Sequence, residues 1–460
     1  MSQLKTVSPI DLKVIVERPL VTYSEAEVVL DKSRQAQKKW KSLSLSEREG
    51  YILKMLAYFE KHKAVCAEEI TLQMGRPSQY SEGELNGMAG RANYMISVAK
   101  SALSEIHIPI ENGLKRYIQK TPVGTVLVVA PWNYPYLTAV NAIVPALLAG
   151  NAVILKHASQ TPLCAERFAK AFQFAGLSEG VFQYIHMSHE VTEKLVADHR
   201  IHAVAFTGSV GGGYKIKQAA ANRFIGINLE LGGKDPAYVR SDVNVVETAA
   251  NLVEGVFFNS GQSCCGVERI YVDASIYPSF VKAFVAETKK LILGDPRQSQ
   301  TTLGPLVKVS AADFVREQIG EAIKLGAKTL ISETDFNVEG FQKNYLAPQV
   351  LMDVNHQMSL MTEENFGPVV GIMSVSSDEE AIALMNDSSY GLTASIWSKD
   401  ITKAERLCAE VETGTCFVNR CDYLDPALAW TGVKDTGIGC SLSVLGFDAF
   451  TRPKSIHIRA

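Results

Sequence analysis

From Val123 onward, short apolar runs rich in β-branched residues alternate with stretches of helical spacing, and this alternation limits the fold more than any other feature of the chain. Val126-Leu-Val-Val-Ala130, Ala152-Val-Ile-Leu155 and Val181-Phe-Gln-Tyr-Ile185 read as strands, separated by helices expected over 138–149 and 162–175. A strand that is apolar at consecutive positions has no face to give to water. Such strands belong in a parallel sheet covered by helices on both sides, an α/β architecture that places ligands at the carboxyl ends of its strands. Ala203-Val-Ala-Phe206 adds a further strand, ending in Thr207-Gly-Ser209 and leading into a helix that contains Tyr214 to Ala220. The N-terminus of that helix could hold a pyrophosphate, because its first amides have no partner within the helix. Gly208, Gly211, Gly212 and Gly213 do not form the usual Gly-x-Gly-x-x-Gly pattern, and such a cluster after a strand is by itself more often just a turn.

At 460 residues the chain exceeds one ordinary core, and two or three domains are expected. Its 47% hydrophobic and 21% charged residues are those of a globular protein, with no low-complexity segment and no internal repeat. A net charge of −3 without a basic cluster gives nucleic acid and anionic membranes no footprint. No run reaches the ~18 apolar residues that span a bilayer. The eight cysteines form no Cys-x-x-Cys pair of the kind that binds zinc, so reduced thiols, no metal and a cytoplasmic setting are expected.

Before the alternating region, residues 24–103 read as amphipathic helices, with Ser46 to Phe59 showing helical spacing behind a serine able to cap the start. Ile106, Ile108 and Ile110 then alternate with polar or turn residues, as do Ile456 and Ile458 near the end. These are strands with one apolar face.

Two segments carry the chemistry. Glu230-Leu-Gly-Gly-Lys234 and Phe257-Phe-Asn-Ser-Gly-Gln-Ser-Cys264-Cys-Gly set an acid and a thiol 34 positions apart on glycine-flanked stretches. A thiol adds to carbon as the thiolate, a small fraction near neutral pH at its usual pKa of about 8.5, so a helper is needed. A carboxylate whose pKa burial has raised can deprotonate the thiol or later activate water. Without more, an isolated cysteine is usually a small buried apolar residue.

Further blocks stand at Pro131-Trp-Asn-Tyr-Pro135, Lys156-His-Ala-Ser-Gln-Thr-Pro162, Phe206-Thr-Gly-Ser209, Glu364-Asn-Phe-Gly-Pro368, Asn386-Asp-Ser-Ser-Tyr-Gly-Leu392 and Gly432-Val-Lys-Asp-Thr-Gly437. With them the chain resembles the aldehyde dehydrogenase superfamily over nearly its whole length, and in overall look its short bacterial succinate-semialdehyde branch. The resemblance implies three parts. A variant Rossmann NAD(P)-binding domain falls at 1–102 and 122–231, an α/β catalytic domain at 232–436, and a small β oligomerisation arm with the C-terminal segment at 103–121 and 437–460.

It also implies roles. Cys264 is the nucleophile and Cys265 its neighbour, a vicinal disulfide being the alternative. Asn133 stabilises the oxyanion, unless it is merely a turn asparagine. Glu230 activates water, unless it caps a helix. For the cofactor the expected residues are Trp132, Lys156, Ser159, Gly208, Ser209, Glu364 and Phe366. Lys156 reaches the adenosine ribose, while Ser159 stands where many NAD-dependent members carry a glutamate that repels a 2′-phosphate; NAD or NADP is therefore expected. Two departures stand out. Gly439-Cys-Ser-Leu442 replaces the usual Gly-Arg-Glu, removing a second glutamate, and Ala429-Trp-Thr-Gly432 replaces Pro-Phe-Gly-Gly.

Tyr134, Phe258 and Trp430 are candidates to line a substrate tunnel, and Arg420 is the candidate to meet a substrate carboxylate. The expected reaction is NAD(P)-dependent oxidation of an aldehyde, with succinate semialdehyde the leading candidate, to the acid through a cysteine thioester in a homodimer or homotetramer. Transfer of the acyl group to coenzyme A and a non-catalytic relative of the fold are the rival readings.

Overall fold

The computed structural model describes residues 2–111, 114–336 and 340–459. Two large sheets organise it. In the first, five parallel strands run in the order Phe182–Tyr184, Ala152–His157, Thr125–Ala130, Ala203–Thr207 and Gly226–Glu230. The inner strands Ala152–His157 and Thr125–Ala130 are buried along their full length, as the apolar runs Ala152–Leu155 and Val126–Ala130 require. A sixth strand, Gly437–Ile438, joins antiparallel beside Gly226–Glu230, so two residues of the expected C-terminal segment belong to this sheet.

Helices cover both faces. The helix expected over 138–149 starts earlier and spans Pro135–Leu148, because proline suits its first position and the Glu84 carboxylate accepts from the amides of Tyr136 (2.8 Å) and Leu137 (3.3 Å). The second expected helix spans Pro162–Phe174. Upstream lie the helices Tyr23–Trp40, Leu45–Lys61, Lys63–Met74 and Ser78–Ala102. The capping serine of the second of these is Ser44, which forms a capping box with Glu47.

The second sheet has seven strands in the order Lys328–Thr329, Gln349–Met352, Val369–Val375, Val267–Asp273, Asp235–Val239, Thr393–Trp397 and Thr415–Val418. All pairings are parallel except that of Lys328–Thr329. Ile106–Glu111, Leu114–Pro122 and Thr451–Arg459 form a separate antiparallel sheet with Leu114–Pro122 in the middle. Ile110 is 71% exposed on it, and Ile106, Ile108 and Ile458 are exposed as well. Among the described residues no helix is long and apolar enough to cross a membrane, and no group of three metal-binding side chains is present.

Candidate active site

Cys264 follows a segment that the chain must bend sharply to make. The helix Val245–Phe257 ends, and Asn259, Ser260 and Gly261 all take left-handed conformations (φ 53°, 58° and 70°). Only glycine adopts this region without strain, and at Gly261 a Cβ would also run into the carbonyl of Gly367. Buried side chains fix the bend. Gln262 accepts from the amide of Val307 (2.8 Å) and donates to the carbonyl of Asn259 (3.1 Å). The cysteine thus emerges from a loop held on both sides.

It emerges between two cavities. One, of about 760 Å3, is bordered by Arg91, Tyr134, Asn141, Glu230, Phe258, Arg420, Trp430 and Cys264 among others. The other, of about 750 Å3, is bordered by Trp132, Asn133, Gly208, Ser209, Glu364, Phe366 and Cys264 among others. Thr207, Leu231 and Cys264 border both. All eight cysteines are free thiols, so the Cys264–Cys265 disulfide is absent. Cys265 is buried and donates to Asp422 Oδ1 (3.1 Å); its contact with Cys264 and its burial push its pKa well up.

Asn133 lies buried beside Cys264, its Nδ2 donating to the carbonyl of Gln262 (3.2 Å). Its own carbonyl receives Arg76 Nη2 (2.5 Å) and Asn259 Nδ2 (3.4 Å). Arg76 also donates to Asn259 Oδ1 (3.1 Å), lies over the Tyr134 ring at 4.5 Å and forms a buried ion pair with Glu84. One guanidinium therefore ties the Asn133 turn to the loop that carries Cys264. Sequence reasoning missed Arg76 and Glu84, because their partners lie far away along the chain.

Glu230 ends its strand and faces the first cavity. Burial raises its pKa, while hydrogen bonds from Ser441 and from Thr207 (3.1 Å) act the other way. Ser441 in turn receives Asn228 Nδ2 (3.2 Å). The position where the sequence lacks a second glutamate thus supplies a hydroxyl directly to Glu230.

In the second cavity Ser209 caps the helix Val210–Ala219, accepting from the amide of Gly212 (3.2 Å). Glu364 accepts from the amide of Gly233 (3.1 Å), and burial pushes it up to about 8, with neighbouring Glu268 adding to the rise. The carboxylate lies so near Gly232 that a Cβ there would overlap it. Phe366 meets Trp132 edge to face at 5.6 Å between ring centres. Its left-handed turn (φ 51°) is held by Glu268, which accepts from the amides of Asn365 (2.8 Å) and Phe366 (2.9 Å) and pairs with buried Lys234 at 2.8 Å.

Lys156 and Ser159 lie outside the borders of both cavities. Lys156 is buried near the end of its strand, and burial lowers its pKa to about 8. Ser159 is exposed, its carbonyl accepting from Thr6 Oγ1 (2.8 Å). Tyr134, Phe258 and Trp430 all border the first cavity. So does Arg420, exposed and stacked 3.4 Å over the Tyr423 ring.

Residues 1–456 match the model of the aldehyde dehydrogenase family. The chain is 34% identical to an aldehyde dehydrogenase of Paenarthrobacter nicotinovorans, covering 95% of each protein. It is 33% identical to the succinate semialdehyde dehydrogenase [NAD(P)+] of Escherichia coli K12 over 85% of this chain and 84% of that one. Its fold superposes with a TM-score of 0.94 and 30% identity on succinic semialdehyde dehydrogenase from Streptococcus pyogenes in complex with NADP+, covering 99% and 100% of the two chains. Matched along nearly all of its length, with an α/β fold to correspond, the chain belongs to the aldehyde dehydrogenase family.

Proposed function

We propose that this NAD(P)-dependent aldehyde dehydrogenase oxidises its aldehyde to the free acid through a covalent intermediate on Cys264, with Asn133 and Glu230 as its partners. The observation that carries this reading is the position of Cys264, at the junction of two cavities, with the Glu230 carboxylate on one side and the capped N-terminus of Val210–Ala219 on the other. Attack of its thiolate on the aldehyde carbon forms a C–S bond and leaves negative charge on oxygen. Asn133 Nδ2 is the side-chain donor for that charge, preorganised by the bonds that Arg76 and Asn259 make to its backbone.

The second cavity fits a nicotinamide dinucleotide. It has the capped helix N-terminus for phosphates, the Glu364 carboxylate for ribose hydroxyls, and an approach at Gly232 that a side chain would close. A nicotinamide bound there would supply the acceptor for the hydride that leaves the substrate carbon as the Cys264 thioester forms. Glu230 then takes a proton from water, whose oxygen attacks the thioester carbon; the C–S bond breaks and the acid leaves. Ser209, Gly208, Trp132, Glu364 and Phe366 would hold the cofactor, with Lys156 and Ser159 at the adenosine end.

The three-part division of the chain expected from sequence belongs to this reading. So does a homodimer or homotetramer, supported by the exposed isoleucines of the three-stranded arm. A cytoplasmic setting accords with the eight free thiols. The test is reduced-cofactor formation with an aldehyde panel, together with product analysis. Cys264→Ala is expected to abolish turnover, and Glu230→Gln to slow it roughly 10²- to 10⁴-fold after one rapid turnover. Thioester product that requires coenzyme A would overturn the hydrolytic reading.

A further inference from the structure

The residues on either side of Cys264 donate to one and the same oxygen of a distant carboxylate. Ser263 Oγ lies 2.8 Å and Cys265 Sγ 3.1 Å from Asp422 Oδ1. All four residues, Cys264 included, border the cavity that Glu230 faces. Asp422 lies just past the strand Thr415–Val418, in a left-handed conformation (φ 45°). A residue with a side chain is strained in that region and stays there only where its surroundings hold it. The segment is clamped at its start by Asn419, which accepts from the amide of Ser398 (2.9 Å) and donates to its carbonyl (2.8 Å).

The grip of Asp422 complements the one already described. Arg76, Asn133 and Val307 hold the nucleophile loop at Asn259 and Gln262, upstream of the thiol. From Ser263 to the strand Val267–Asp273 the chain makes a turn closed on itself, the amide of Gly266 donating to the carbonyl of Ser263 (3.3 Å). That bond does not tie the turn to another part of the molecule, whereas Asp422 ties it to the segment across the cavity. Cysteine has a single side-chain torsion to its sulfur, so the backbone fixed at positions 263 and 265 leaves the sulfur few places to stand.

We propose that Asp422 is a positioning residue for the nucleophile: by holding Ser263 and Cys265 it sets where the Cys264 sulfur stands between the two cavities, and so how fast that sulfur attacks an aldehyde. This rests on the reading of Cys264 as the nucleophile. Both partners are neutral donors, so the role belongs to an acceptor oxygen and does not require a charge. A reacting atom displaced by about 1 Å loses on the order of 10²-fold in rate, which is the scale of effect open to such a residue. A purely structural Asp422 would fasten the segment after Thr415–Val418 and leave the rate of the bound complex alone.

The test is a single turnover, with enzyme in saturating excess over an aldehyde that the parent oxidises, followed by reduced-cofactor formation at saturating cofactor. Its rate constant reports the bound complex and does not depend on how many molecules have lost their fold. For Asp422→Ala this rate constant is expected to fall about 10- to 100-fold, with the cofactor KM unchanged. Asp422→Asn keeps the acceptor oxygen and should stay within about threefold of the parent. Ser263→Ala removes one donor from the other side and should slow the turnover by less, and in the double variant with Asp422→Ala the two losses should not add. A lower melting temperature with the rate constant unchanged, an Asn variant as slow as the Ala variant, or additive losses would each overturn the proposal. Should Asp422→Ala fail to fold, an unchanged rate in Ser263→Ala would overturn it as well. If Cys264→Ala still turns over, the nucleophile reading falls and the positioning role with it; if that variant is inert while Asp422→Ala matches the parent, the positioning role alone falls.

Discussion

At Glu230 burial and hydrogen bonding pull in opposite directions. The interior favours the neutral acid, whereas the hydroxyls of Ser441 and Thr207 favour the anion that can take a proton from water. Ser441→Ala removes one donor to the anion, so the pKa of Glu230 rises and more alkaline solution is needed to keep the base unprotonated. The acid limb of the pH–kcat profile should move to higher pH, with turnover on that limb about two- to tenfold lower and the alkaline plateau nearly kept. Gly232→Ala tests the other cavity. Its Cβ displaces the far end of Glu364, which is flexible, so we expect little change in melting temperature and a rise of about tenfold in cofactor KM. Cys264, Glu230 and Asn133, the residues proposed to carry the chemistry, stood out in the sequence because each lies in a distinctive local run. Arg76, Glu84 and Asp422 did not, since their meaning lies in partners at Asn133, Asn259, Tyr136, Ser263 and Cys265 that no local pattern marks.

Among the elements, the buried parallel strands were readable because burial on both faces leaves an unbroken apolar run. Helix starts were harder to read. Pro135–Leu148 begins three residues ahead of its expected start because the cap is Glu84, on a distant helix. That cap also balances Arg76, both side chains being almost wholly buried. Glu84→Ala would leave a buried guanidinium without its counter-charge, which costs about 3–5 kcal/mol. A clear drop in melting temperature should result, together with a loss of kcat, since Asn133 and the Cys264 loop share the same arginine. Conversion of Arg76 and Glu84 together should lower the melting temperature less than Glu84→Ala alone, a comparison that a double-mutant cycle makes directly.

For the whole molecule, the N-terminal hairpin Gln3–Val7 and Val14–Pro19 is fastened to the helix Pro162–Phe174 by Arg18, which bonds both oxygens of Glu166 (2.7 and 3.0 Å). Burial alone would raise the Glu166 pKa, but His186 and Arg18 outweigh it and hold it at about 2, below its ordinary 4.5. A depressed carboxylate gives stability that is fully present above the ordinary value and is lost as pH falls through the folded one. Glu166→Gln should therefore lower the melting temperature near neutral pH, with the gap to the parent closing between about 4.5 and about 2.

Strand Gly437–Ile438 and Ser441 reach the Glu230 carboxylate from the last stretch of the chain: Gly437 pairs with Glu230 itself, and the serine hydroxyl bonds its side chain. During synthesis Cys264, Glu230 and Asn133, proposed as nucleophile, base and oxyanion donor, all leave the ribosome well before the residues that seat Glu230. A nascent chain thus carries its reactive thiol for some time before the hydrolytic half of the site is complete.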